Sequence, residues 1–170
     1  AVTDETYEYN GVGWSTGELM NTGAYAAGGF GTQTAAVKAA GNDTSGTRLT
    51  TVETYDGTTW TAANAIGTAR AQLATSSTGP QTAGIVWGGT TASPGAANVS
   101  VLTEEFDGTN WSASPSPTVG DMNTARYNTT GGGTQTALIT AGGENPLFDA
   151  SEKYNGTAWT TVTALPAPRG

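Results

Sequence analysis

One hairpin is written four times along this chain. An aromatic residue is followed at once by Asn-Gly or Asp-Gly, with Trp five positions after the aromatic, at Tyr9 to Trp14, Tyr55 to Trp60, Phe106 to Trp111 and Tyr154 to Trp159. The steps from one Trp to the next are 46, 51 and 48 residues. Such self-similarity confines the chain to a repeat architecture, in which each unit is too small to bury its own apolar face. Asn-Gly and Asp-Gly between strand-like runs mark hairpins, because both residues tolerate positive φ. Four such turns and Thr-rich alternation predict an all-β chain with almost no helix.

Glu opens each copy at Glu8, Glu53, Glu104 and Glu152, which places hairpins over 5–14, 53–60, 104–111 and 152–159. A two-residue turn at Asp56-Gly57 would set Tyr55 opposite Thr58 and Glu53 opposite Trp60. Tyr55 and Trp60 then become diagonal neighbours on one sheet face. The repeated Trp residues and their aromatic partners read as packing between units, not as ligand-stacking groups.

Two further blocks keep the period. Gly31-Thr32-Gln33-Thr34-Ala35 recurs as Gly79-Pro80-Gln81-Thr82-Ala83 and Gly133-Thr134-Gln135-Thr136-Ala137. Each leads into a short apolar strand ending in glycine, at Gly41, Gly89 and Gly143. Arg70 and Arg169 follow Trp60 and Trp159 by ten residues; Arg126 follows Trp111 by fifteen, across an insertion, and Ala24 takes the position in the first copy. These arginines are expected to bridge strands or bind backbone carbonyls.

Composition removes whole classes of chemistry. Cys and His are both absent, so thiolate zinc, haem, disulfides, Cys–His nucleophiles and Ser-His-Asp triads are excluded. No D-x-D-x-D-G loop suggests calcium, and Glu104-Glu105, as successive strand residues, point to opposite faces and make no catalytic pair. A net charge of −8 repels phosphate backbones, which argues against nucleic acid. No apolar run is long enough to insert in a membrane as a helix, and no signal peptide opens the sequence. The expectation is a non-enzymatic chain with no cofactor and no metal.

Gly-Gly, then Glu-x-Tyr-Asp/Asn-Gly-x-x-Trp, then Arg after about ten residues resembles the kelch repeat of β-propellers across nearly all of the 170 residues. The Gly-Thr-Gln-Thr-Ala block and the Asp-Gly-Thr style are similar to repeat-containing virion structural proteins of marine bacteriophages. The resemblance implies one repeat domain over 1–170, with about 3.5 four-stranded blades. It assigns the first strand to the Gly-Gly run, the second to Glu-x-Tyr, the third to the stretch from Trp and the fourth to the stretch from Arg. In that phase the first blade lacks its first strand and the last lacks its fourth. The chain would then be part of a longer one and a larger ring, a ring closed around four incomplete blades, or a protein whose copies associate.

The loops after the Gly-Gly runs, and the loop with the insertion, differ between copies and share one rim, whereas the opposite rim is uniform. A diversified rim on a fixed scaffold is where binding is expected. Residues that break the repeat are the ligand candidates. Trp87 stands where Ala39 and Ala141 stand, and would stack on a sugar or plug the channel. Lys38 replaces Val86 and Thr140 as a solvated channel residue, and Phe148 lies in a variable loop. Tyr25 and Tyr127 read as packing. The implied role is structural or adhesive, in a phage tail fibre or capsid surface, with extracellular carbohydrate binding as the alternative. Partners would be other virion or extracellular chains, the chain itself, or a cell-surface glycan, with a virion or extracellular location. A kelch-type copper oxidase would need His and Cys.

Overall fold

The computed structural model describes residues 2–93, 95–117, 119–144 and 149–168. Among them every regular element is a strand except one 3₁₀ turn at Gly95–Ala97. β1 (Tyr7–Tyr9) and β2 (Trp14–Thr16) form a two-stranded hairpin. Three four-stranded antiparallel sheets follow. The first holds β3 (Gly28–Thr32), β4 (Ala35–Ala39), β5 (Val52–Tyr55) and β6 (Trp60–Ala63). The second holds β7 (Ala74–Thr75), β8 (Gly84–Trp87), β9 (Thr103–Phe106) and β10 (Trp111–Ala113). The third holds β11 (Thr130–Thr134), β12 (Ala137–Ala141), β13 (Ser151–Tyr154) and β14 (Trp159–Val162).

This order corrects the strand phase expected from sequence. The stretch after each arginine does not complete the sheet before it. It opens the next one, through a hairpin at the Gln-Thr pair: Thr32 pairs with Ala35, and Thr134 with Ala137. Gly31 and Gly133 make the turn possible. Both have positive φ (105° and 125°), and a Cβ on either would lie 2.2 Å from the carbonyl oxygen of Ala35 or Ala137. The last sheet therefore has all four strands, and only the β1–β2 hairpin is short of a full sheet.

The Asn/Asp-Gly turns differ from the expected two-residue form as well. Tyr55 lies directly opposite Trp60, and Glu53 opposite Ala62. Asp56 Oδ1 accepts the N–H groups of Thr58 and Thr59, both at 2.8 Å, so the side chain holds a four-residue loop. Only the glycine of each pair has positive φ, whereas the two-residue turn needs it at both. The aromatic pairs consequently stack across the strands, with ring centroids 4.9 Å apart in Tyr55–Trp60 and Phe106–Trp111. The true register also re-aligns the first copy, in which Tyr7, and not Glu8, occupies the place of Glu53, Glu104 and Glu152.

Each sheet turns its Tyr/Trp face toward the sheet before it. Trp60 Nε1 donates to Thr6 Oγ1 at 2.8 Å, and Trp159 Nε1 to Thr103 Oγ1 at 2.9 Å. The Tyr55 hydroxyl donates to Glu8 and the Tyr154 hydroxyl to Glu105. Gln81 Nε2 donates to the carbonyls of Ala36 and Tyr55, and Gln135 Nε2 to those of Gly84 and Phe106. In the second and third sheets the recurring Gln is thus a clamp that ties the turn to two strands of the preceding sheet. Apolar side chains fill the spaces between sheets. Phe30, Val37, Val52 and Phe106 form one cluster, and Ile85, Trp87, Leu138 and Trp159 another.

One interface lacks a bond that its neighbours have. Val52 takes the place of Thr6 and Thr103, and the indole N–H of Trp111, which packs against the Val52 cluster, has no partner among the described residues. Val52→Thr supplies an acceptor there, and the net value of such a bond is about 1 kcal/mol. The variant is expected to match or exceed the parent in urea unfolding. Val37→Thr, with no donor waiting, should lose about 1–3 kcal/mol. A Val52→Thr protein destabilised as much as Val37→Thr contradicts this account of the interface.

Candidate functional site

The buried charged groups among the described residues gather at one end of the sheets, where the connectors arrive. In the third sheet Glu152 points into the junction with its connector. It accepts from Asn123 N (2.8 Å), Asn123 Nδ2 (2.9 Å), Thr124 N (3.2 Å) and Arg126 Nη2 (2.6 Å). Arg126 Nη1 spends its protons on the carbonyls of Gly142 and Ala150. The second sheet repeats the arrangement. Glu104 accepts from Gly67 N (2.6 Å) and Arg70 Nη2 (2.7 Å), and Arg70 Nη1 donates to Gly88 and Leu102. Both ion pairs are completely buried. Burial pushes both guanidinium groups below their ordinary range, and the facing carboxylates oppose that shift. Arg169, the last of the series, lies outside the described residues.

The first sheet solves the same problem with different residues. Glu53 accepts from Asn21 N, Asn21 Nδ2 and Thr22 N at 2.7–2.9 Å, but Ala24 stands where arginine would bring the positive charge. Lys38 brings it instead. It lies directly across the ladder from Glu53, with Nζ 3.7 Å from the carboxylate and 3.3 Å from the Thr22 carbonyl. Only 7% exposed, it is a buried counter-ion and not the solvated channel residue expected from sequence. Desolvation lowers its pKa, and Glu53 partly offsets that.

Trp87 is corrected in the same way. Its side chain is 0% exposed, with Nε1 donating to Thr140 Oγ1 at 3.1 Å and the ring 5.7 Å from that of Trp159. It fits over Gly131, where a Cβ would come within 2.6 Å of the indole. A ring with no exposed surface does not stack on a sugar. The third ligand candidate, Phe148, lies outside the described residues. The cleft where β3, β7 and β11 converge is lined by small residues such as Gly28, Gly29, Ser76, Ser77 and Gly131, and has a volume of about 340 Å³.

Among the surfaces open to solvent is the loop rim at the connector end. Ala26, Gln72 and Asn128 occupy equivalent sites two positions after Ala24, Arg70 and Arg126, and all have φ of 50–57°. Gln72 N donates to Ala26 O at 2.9 Å and Asn128 N to Gln72 O at 3.2 Å, a backbone relay that passes from sheet to sheet. Their side chains extend it: Gln72 Nε2 meets Asn128 Oδ1, and Asn128 Nδ2 meets Glu144 Oε1 at 3.2 Å. Tyr127 also bonds to Glu144, which raises the phenol's pKa. Tyr25 is 45% exposed, so it does not serve the packing role read from sequence. Arg48 crosses from its own loop to the carbonyls of Thr90 and Ala92 in the next. Sequence reasoning expected a variable rim at this end but did not single out Gln72 and Asn128, whose signal is their position two residues after the recurring arginine.

No cluster of three or more potential metal-ligating side chains forms among the described residues. Compared with known proteins, the chain matches no family model and no curated sequence.

Two expectations follow from the buried groups. Lys38→Thr strands Glu53 without its cation and should cost about 3 kcal/mol, at the lower end for a broken buried pair. Adding Ala24→Arg to that variant should recover most of the loss in urea unfolding; a double variant no more stable than the single one contradicts the exchange. Trp87→Ala should cost about 3–5 kcal/mol. Trp60→Ala, at a partly exposed ring, should cost less, and the reverse order would show that Trp87 is not a core residue.

Proposed function

We propose that this chain is a non-enzymatic β-propeller module of kelch-like units, acting as a structural or adhesive component on the surface of a particle such as a phage virion. Four-stranded antiparallel sheets, stacked face to face in chain order with their first strands around a common cleft, support the propeller reading. One observation carries the functional reading most directly. The buried cations Lys38, Arg70 and Arg126 are each spent on holding a sheet to its connector. Between them the turns on one rim are uniform, while the loops on the other rim differ from copy to copy. A rigid scaffold with one variable rim is suited to display and attachment.

A second reading, extracellular carbohydrate binding, draws on the composition of that rim. Tyr25 and Tyr127 stand among the amides of Gln72 and Asn128 and the carboxylate of Glu144. Aromatic faces beside hydrogen-bonding amides are the groups that sugar rings and hydroxyls require.

The primary reading is tested by raising antibodies to the purified chain and imaging intact particles from its source. Decoration of particle surfaces is the expected result, and protein found only in the unassembled soluble fraction overturns it. A glycan array separates the second reading. Binding lost in Tyr127→Ala with an unchanged melting temperature supports a rim lectin site; no bound glycan removes it.

A further inference from the structure

The two faces of each sheet are different, and the contacts between sheets define both. The face bearing the aromatic pair meets the preceding sheet. The other face, with Phe30, Val37 and Thr54 in the first sheet and Ile85 and Glu105 in the second, receives the sheet that follows. Among the described residues two such faces are uncovered. On the β1–β2 hairpin the aromatic face is exposed, with Trp14 at 70% where its equivalent Trp159 is at 7%. On the third sheet the receiving face is exposed, with Ile139 at 42% where Ile85 is at 0%.

We propose that these two faces bind each other between copies of the chain, head to tail, the β1–β2 hairpin of one copy docking on the β11–β14 sheet of the next. Three features commit the hairpin to this occupant. First, Tyr7 stands where every other unit has its buried glutamate. The hairpin face therefore has no carboxylate to be met by a connector and an arginine, and carries Tyr7, Tyr9 and Trp14 instead, all exposed. It is shaped for a pre-formed apolar surface. Second, the receiving face is hollowed. Gly132 takes the place of Phe30, and the resulting cleft of about 330 Å³ is lined by Gly132, Ala137, Leu138, Ile139, Lys153 and Tyr154. A hairpin with three aromatics fills a space that a smaller face would leave empty. Third, the polar position matches. Glu8 and Glu105 receive the hydroxyls of Tyr55 and Tyr154 in the internal contacts, and Lys153 holds the same register position on the open face. Its ammonium can donate to the phenol oxygen of Tyr9.

The contact joins unlike surfaces, so it propagates into rings or filaments and does not close as a two-fold dimer. It rests on face geometry, independent of whether the particle-surface role holds. Sedimentation velocity up to about 100 µM, a weak-binding range, tests it on the 170-residue chain. The expected result is mass rising with concentration past the dimer. Tyr7→Asp and Ile139→Asp each place a charge in one exposed face and should each weaken self-association at least tenfold, with melting temperatures unchanged. Mixed, the two variants should form a one-to-one dimer, because each keeps the face that the other lacks. A wild-type chain that stays monomeric, or association that either variant leaves intact, overturns the proposal.

Discussion

The buried glutamate of each Glu-x-Tyr strand is the interaction on which the rest of the fold depends. Removing a carboxylate from water costs several kcal/mol, and nothing in an apolar junction returns that. Here it returns through geometry. Glu152 alone gathers four donors from one connector: two backbone N–H groups, an asparagine amide and a guanidinium. Those backbone groups leave strand structure at the connector and would otherwise be orphaned inside the protein. The ion pair satisfies the connector and the sheet at once. It also joins each sheet to the connector that precedes it. Because the same arginine also binds one carbonyl at each end of the loop between the two middle strands, it ties sheet, loop and connector together.

The first sheet shows that the requirement is for charge at a point and not for a particular residue. Ala24 and Lys38 lie on different strands, and neither substitution makes sense alone. An arginine lost at position 24 would leave Glu53 uncompensated; a lysine added at position 38 beside an arginine would crowd two cations. The same paired logic appears at the tyrosines. Glu8 and Glu105 are met by Tyr55 and Tyr154, both hydroxyl donors, and the Tyr55 phenol is pushed up to about 12 by its bond to Glu8. Thr54, in the equivalent position, is followed in the next sheet by Phe106, which has no hydroxyl to satisfy.

Much of the fold is legible in the sequence. The Asn-Gly and Asp-Gly hairpins, the strand content and the unit length follow from turn chemistry and the period of the tryptophans. The phase was not legible. Gly-Thr-Gln-Thr-Ala resembles the approach to a strand, and only the pairing of Thr32 with Ala35 shows that it is itself a turn. The register at Asp56-Gly57 was misread because the aspartate oxygen competes for the N–H groups that a two-residue turn would leave free. At the candidate site the limit is of another kind. Lys38 and Trp87 break the repeat when the copies are compared column by column, which suggested ligand contacts. Their partners, Glu53 and Gly131, sit in other columns, so a comparison of like with like cannot reveal why they changed.

That limit separates compensation from specialisation. A residue that departs from its repeat and is buried against another departure, as Lys38 is against the absence at Ala24, keeps the scaffold as it was. One that departs and is exposed has no such partner within the sheet stack. Tyr7 on the first hairpin belongs to the second group, because it is exposed and replaces the glutamate that the other units bury. A unit released from the need to bind a connector keeps its cross-strand aromatic pair, Tyr9 and Trp14, with ring centroids 5.2 Å apart. Its stability then rests on that pair and on the Trp60 and Tyr55 contacts from the sheet behind it. The face that bears this pair meets no other sheet among the described residues, and an otherwise internal packing surface is thereby turned outward.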